Sequence, residues 1–387
     1  MTLCGEICVR HIEKKALQKP KKDVSMQELS KQSAEFLRIR GFLTRDDFEG
    51  FTSESLFIMQ FVKKGWGQDI AALSNMAEAL LNSFKSGVIV QSEVKALIDG
   101  VVARALHKSV SPYRKDPRVV KNLGGYGYYL EHLNIILGCY QSAVDDKYLK
   151  LNLRVTEHLL AASFAENNYH APLLPNVRMR WSADQAAIIY SIWLYDQNNG
   201  TFLANNLRDK WLSYMDTNMR DPETMLYMTE VMGVKRYSKQ PRGCALAYLI
   251  YYGNHFAPKM AAEQWVLFKT HFLIRRLGIT GFREYLASYK GGWTPDSGPI
   301  IAGIGVGASG LSLKTAACMA DTEIYSLLNR SASPIMRLLR GFMYVPLFNR
   351  LARLGTDLLA TSIKLNADTR ITLTHGIKVQ DCSEVKL

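Results

Sequence analysis

The chain has 387 residues, 48% of them hydrophobic and 21% charged, with a mean hydropathy of −0.08. That balance excludes disorder, a collagen-like fibre, a mini-protein and a polytopic membrane protein. Six cysteines with no Cys-x-x-Cys pair are too sparse for a disulfide scaffold and predict a reduced, cytoplasmic protein, and the net charge of +13 has two local sources that are met below.

Residues 1–25 read as a basic flexible tail. Lys14, Lys15, Lys19, Lys21 and Lys22 flank Pro20, the opening stretch lacks the apolar core of a secretion signal, and residue 2 is Thr, so neither secretion nor myristoylation is signalled. Residues 26–365 read as one domain. Short helices are predicted over 26–42 and 53–64, and from Gln68 onward helical periodicity dominates. DIAALSNMAEALLNSF puts Ile70, Leu73, Met76, Ala77, Leu80 and Leu81 on one face, the repeat of an amphipathic helix. The same signal returns in YYLEHLNIILGCYQSA, SADQAAIIYSIWLYDQ, GCALAYLIYYGNHF and PIIAGIGVGASGLSLKTAACMA. Strand signals are few, the best being MLYMTEVMGV over 225–234.

The helices recur in pairs. First helices start near Gln68, Gly125, Ser182, Arg242 and Pro299, spaced by 57, 57, 60 and 57 residues, and each is followed by a turn and a more polar second helix. A period of this length built from helical hairpins means a solenoid or a closed ring. The first helices are apolar nearly all round, as expected where second helices cover one side and inner neighbours the other. Closure follows: an all-α (α/α)6 toroid of helical hairpins with few short strands. The sixth hairpin is expected from 332–365, from the N-terminal helices, or from both. Residues 366–387 read as a C-terminal tail.

Arg330, Arg337, Arg340, Arg350 and Arg353 interrupt an apolar sequence near the end of the domain. This spacing over 331–365 suits a helix lying on a membrane surface or a partner, besides a plain solvated basic face. No nucleic-acid motif accompanies the charge, so no nucleic acid is expected. A homo-oligomer is compatible with the pattern. No run is long enough to span a bilayer.

In a ring, inner-helix N-termini converge on one mouth, where unpaired N–H groups favour anions. The loops entering these helices hold Tyr126 and Tyr128 before the second; Arg178, Arg180 and Trp181 before the third; Arg242 before the fourth; and Trp293 and Asp296 before the fifth. All but Asp296 are candidate substrate contacts. His132 and Asp184 are the strongest acid–base candidates, since each lies in the first turns of an apolar inner helix, where an unpaired ionisable group is costly. The bland readings are a carbonyl-bonded histidine and a capping-box aspartate after Ser182. Arg178 and Arg180, alternating in PNVRMRW, would share one face of an extended loop and clamp a carboxylate or phosphate, or else make surface ion pairs. Asp296 in TPDSGP serves a turn or catalysis.

Gly305, Gly307 and Gly310 spell G-x-G-x-x-G, but a dinucleotide site requires a strand before and a crossover after, and close helix packing explains them better. The eight histidines show no His-x-x-x-His or His-Glu-x-x-His spacing, so no dedicated metal site is expected.

The stretch from Val110 to Phe272, best at YYLEHLNIILGCYQ and at QAAIIYSIWLYDQNNGTFLANNLRDKWLSYMDTNMRDPE, resembles the linalool dehydratase/isomerase family of (α/α)6 enzymes. The resemblance implies an active-site histidine at His132, with the family's nearby tyrosine matched by Tyr129, and no organic cofactor. The two cysteines the family uses are replaced by Pro175 and Asp184, which implies acid–base rather than thiol chemistry. The leading expectation is therefore a lyase or isomerase acting in the mouth on a small hydroxylated, terpenoid-like substrate through His132, Asp184, Tyr129 and Asp296. The alternatives are a glycosidase or uronate lyase, with Asp184 and Asp296 as its carboxylates, and a non-catalytic scaffold that binds a partner or membrane.

Overall fold

Six helices line the inside of a closed ring. The computed structural model describes residues 33–45, 66–232, 236–237, 240–276, 278–289, 291–292, 294, 297–341 and 358–383. In chain order the helices are α1 Ala34–Leu43, α2 Trp66–Lys85, α3 Gln91–Leu106, α4 Gly127–Ala143, α5 Leu149–Phe164, α6 Ser182–Asn199, α7 Leu203–Asn218, α8 Gly243–Phe256, α9 Pro258–Phe272, α10 Val306–Cys318, α11 Thr322–Gly341 and α12 Leu358–Ser383. Going round the inside, α2 packs on α4, α4 on α6, α6 on α8, α8 on α10, α10 on α12, and α12 returns to α2. Helices α3, α5, α7, α9 and α11 cover the outside, each against the inner helix before it.

The inner helices have no solvated face, which is why they read as apolar all round. In α4 and α6 nearly every residue from Tyr129 to Tyr140 and from Gln185 to Ile192 is buried. The outer helices are half-polar because one face meets water. Their starts are fixed locally: Asp196 accepts from the backbone N–H groups of Leu203 and Ala204 at 2.9 and 2.8 Å and so caps α7, while Asp321 accepts from Ile324 ahead of α11.

The sixth hairpin comes from both ends of the chain. Helix α12 lies inside and α1 outside it, joined by a hydrogen bond from Arg38 to Thr361 at 2.9 Å. Buried Arg104 of α3 donates to the Phe42, Leu43 and Arg45 carbonyls at the end of α1, which satisfies acceptors that the helix leaves open. Against the expectation of a domain ending at 365 and a tail beyond it, α12 continues to Ser383, with Leu365, Asn366, Ala367 and Thr369 buried. The sequence LNADTRITLT does not read as core because its inward face meets polar groups on the ring axis. The expected tail over 1–25, the helix over 53–64 and residues 342–357 of the basic segment lie outside the described residues. No helix among the described residues is long and apolar enough to cross a membrane.

The short strands are straps at one end of the ring. β1 Met179–Trp181, β2 Glu230–Met232 and β3 Arg236–Tyr237 form one antiparallel sheet; β4 Leu273–Arg276 pairs with β5 Ile279–Phe282, and β6 Ile300–Ile301 with β7 Ile304–Gly305. Each strap caps the inner helix before it. Gly127 and Tyr128 donate to the carbonyls of Pro172 and Leu173, Ser182 to that of Thr229, and Gly243 to that of Glu284. Glycine at the first position of α4 and of α8 is required by this close approach, since a Cβ at Gly127 or Gly243 would collide with the Pro172 or Arg283 carbonyl. The first N–H groups of these helices are thus already paired with backbone. The glycine-rich run before α10 enters an antiparallel hairpin, β6–β7, rather than a βαβ crossover.

Candidate functional site

The first turns of α4 and α6 bring together two carboxyl groups. Glu131 is 0% exposed, and neither of its oxygens has a hydrogen-bond donor as an ionised group. Burial first, then the charge of and the side-chain hydrogen bond with half-buried Asp184, hold Glu131 well above the usual carboxylate range. A hydrogen bond between two carboxyl groups requires a proton on one of them, so the pair favours holding a proton between them.

His132, the next residue, anchors a second layer. It is 0% exposed; its Nδ1 lies 2.8 Å from Ser74 Oγ on α2, its Nε2 lies 3.2 Å from the Tyr248 hydroxyl on α8, and Glu131 Oε1 is 3.7 Å from Nε2. One polarity satisfies every donor. Tyr252 donates to Tyr248 at 3.2 Å, Tyr248 to Nε2, Nδ1–H to Ser74, and Ser74 to the Ala71 carbonyl. Burial, helped by the charge of Lys314, pushes the imidazole down to about 3, so His132 is neutral under ordinary conditions. Tyr128 sets its ring edge-on to His132 at 4.9 Å.

Below this layer the ring axis is filled. Lys314 of α10 donates to Asn75 and Glu78 of α2 at 2.9 and 3.1 Å, Asn366 of α12 donates to the same two residues, and the Tyr251 hydroxyl donates to Glu78 at 2.8 Å. The Lys314 ammonium also sits 3.7 Å from the centre of the Tyr251 ring. Four inner helices are stitched together here by buried, mutually satisfied polar groups. The mouth therefore has a floor one turn beneath the carboxyl pair.

The remaining expected site residues separate. Tyr129 is not at the mouth: its buried hydroxyl donates to the Ala105 carbonyl of α3 at 2.7 Å, so it faces the outer layer, and Tyr128 stands beside His132 instead. Arg178 and Arg180 do not form a clamp. Arg178 is exposed, whereas Arg180 is buried and committed to Glu166 at 2.7 Å and to the Val177 carbonyl at 2.6 Å. Arg242 bonds Glu284, Glu230 and Thr294 at 3.0, 3.3 and 2.7 Å. Glu284 in turn accepts from the Cys244 N–H and thiol, so this cluster holds the start of α8. Tyr126 packs edge-on to Tyr113 at 5.1 Å. Trp181 is half-buried and immediately precedes α6, opposite Glu230 in the strap sheet. Asp296 and Trp293 lie outside the described residues. Among the described residues no group of three or more His, Cys, Asp or Glu side chains comes together as a metal site.

Glu131 is the residue that sequence reasoning missed. Its signal is present in YYLEHLN: an acidic residue beside His132, within a helix otherwise built for complete burial.

No family model matches the chain, and no curated protein matches it. Solved structures do. A glycoside hydrolase family 76 mannosidase from Bacteroides thetaiotaomicron superposes with a TM-score of 0.50 at 12% identity, covering 89% of this chain and 100% of that one. The α-1,6-mannanase of Salegentibacter sp. HEL1_6, an inactive variant in complex with an α-1,6-mannotetraose, gives a TM-score of 0.46 at 11% identity over 76% and 88% of the two chains. The fold is an (α/α)6 toroid. This confirms the expected fold class. The narrower resemblance to the linalool dehydratase/isomerase family is not supported by these comparisons, and neither is a terpenoid lyase activity.

Proposed function

We propose that this toroid is a carbohydrate-active enzyme that breaks a glycosidic bond by acid–base catalysis, with Glu131 and Asp184 as its proton-holding pair. The observation that carries the reading is the contact between a fully buried glutamate with no other donor and a half-buried aspartate at the mouth. Buried Glu131 acts as the proton reservoir and Asp184 as the face turned to substrate. The proton passes from the pair to the glycosidic oxygen as the bond to the anomeric carbon breaks, the pair is left as two carboxylates, and a proton from the attacking water restores it.

Two carboxyl groups in hydrogen-bond contact are too close to flank one glycosidic bond, which needs about 5–10 Å between them. The pair therefore acts as one unit, and Asp296, already the sequence candidate for the other carboxylate, is the proposed partner across the bond. Neutral His132, fixed through Ser74 and Tyr248, packs beneath the pair without adding a competing positive charge. Tyr128 and Trp181 supply the aromatic wall. The mannosidase that shares this ring suggests the first substrates to try.

The test is release of reducing ends from α-linked manno-oligosaccharides and other neutral oligosaccharides by the wild-type chain, Glu131→Gln and Asp184→Asn. Wild-type release that falls by about 10²- to 10⁴-fold in both variants supports the reading. Release that survives both substitutions contradicts it.

A further inference from the structure

The outer wall carries a groove that the mouth chemistry does not use. It is shallow and open to solvent, with a volume of about 540 Å³. One bank is a stripe along α7 running from Asn206 to Asn218 at helical spacing, about 18 Å of wall. The other is the turn after α5 that holds Asn167 and Tyr169. That turn leads into α6, so the groove begins at the rim of the ring and runs down the outside.

Its lining has one chemical character. Asn167, Asn206 and Asn218 present amides, each able to donate and accept at once, and serine and threonine hydroxyls lie between them. The lining holds one acid and one base, Asp209 and Lys210, with Asp209 bonded to Arg208 at 2.8 Å at its edge. Half-buried Tyr169 adds an aromatic face, with Tyr214 buried beneath and edge-on to His170. Tyr169 holds a left-handed backbone, φ 57°, which is costly for a bulky side chain and tends to mark functional positions. The strain is held in place by the next residue, buried His170, whose Nε2 accepts from Trp211 of α7 at 3.2 Å. Phe164, 37% exposed, stands edge-on to Tyr169 at 6.3 Å and extends the aromatic end of the groove.

We propose that this groove is a second binding site, for a linear, neutral oligosaccharide. Amides and hydroxyls match the paired donors and acceptors of sugar hydroxyl groups, the Tyr169 ring matches the apolar face of a pyranose ring, and a lining with one acid and one base lacks the cluster of cations an acidic polymer needs. The inference rests on the lining alone and does not require that the mouth cleave anything.

The experiment uses the full chain carrying Asp184→Asn, so that turnover does not consume ligand. It is titrated calorimetrically with maltohexaose, with a linear mannohexaose and with hexagalacturonate. Tyr169→Ala and Ser213→Trp, the second of which fills the groove, are then added singly, with a melting curve for each. At least one neutral hexasaccharide is expected to bind, to weaken by about tenfold or more in both groove variants at unchanged melting temperature, and to bind better than hexagalacturonate. Three results overturn the proposal: no binding of either neutral sugar, binding untouched by both substitutions, which assigns the sugar to the mouth, or equal binding of the acidic sugar.

Discussion

Glu131 of α4 and Asp184 of α6 meet as two carboxyl groups, 53 residues apart in sequence and adjacent across the inner wall of the ring. Because Glu131 is buried with no other donor, the folded chain keeps a proton that the unfolded chain releases near the ordinary value of 4.5. Above that pH the native state binds more protons than the unfolded one, so stability falls as pH rises toward the native pKa. Glu131→Gln removes the titration while keeping the shape and a donor for Asp184. The variant is expected to show a flatter melting temperature than wild type as pH rises above 5 and to melt higher at the alkaline end; thermal scans from pH 5 upward check it.

His132 behaves in the opposite sense. Its native value lies near 3, well below that of a free imidazole, so folding favours the neutral ring, and the associated stability is complete above about pH 6.5 and is lost as pH falls toward 3. Nitrogen-15 NMR of labelled histidine is expected to find a ring that remains neutral at pH 5 and carries its proton on Nδ1. Buried His170, pushed down to about 4, should also be neutral there, whereas an exposed histidine titrates near 6.5.

Tyr129 and Tyr248 separate structure from chemistry. Tyr129→Phe leaves the Ala105 carbonyl without its donor and is expected to cost about 1–2 kcal/mol of stability with unaltered turnover. Tyr248→Phe removes the donor to His132 and is expected to lower the turnover number more than it lowers stability. Parallel denaturation and rate measurements on the two variants distinguish them.

Lys314→Met removes the ammonium bonded to buried Glu78 and leaves Tyr251 and Asn366 as its hydrogen-bond donors among the described residues, and about 3–5 kcal/mol of stability should be lost. Adding Glu78→Gln to the same chain removes the buried charge and should recover much of that loss. Urea denaturation of the two variants and wild type is the check.

The ring was legible wherever complete burial left its mark on composition. The hairpins beginning at α2, α4, α6, α8 and α10 follow the repeat starting near Gln68, Gly125, Ser182, Arg242 and Pro299. The last inner helix was obscured because Thr361, Ser362, Asn366 and Thr369 face a polar axis, and because its outer partner α1 comes from the opposite end of the chain. The same complete burial hid which way residues point. In a helix covered on all sides, periodicity does not tell the inner face from the outer, so nothing in the pattern corrected the placing of Tyr129 at the site, although it contacts α3 and Tyr128 contacts His132. The arginines were misjudged for another reason: their partners, Glu166 for Arg180 and Glu284 for Arg242, sit 14 and 42 residues away on irregular connections that carry no periodic signal.

The shared proton between Glu131 and Asp184 is most directly tested by infrared difference spectroscopy of the carboxyl stretch at pH 7, comparing wild type with Glu131→Gln and Asp184→Asn. One protonated carboxylic acid is expected in the wild-type chain, with its band lost in Glu131→Gln and lost or shifted in Asp184→Asn. A wild-type spectrum in which both groups are ionised at pH 7 would contradict the account.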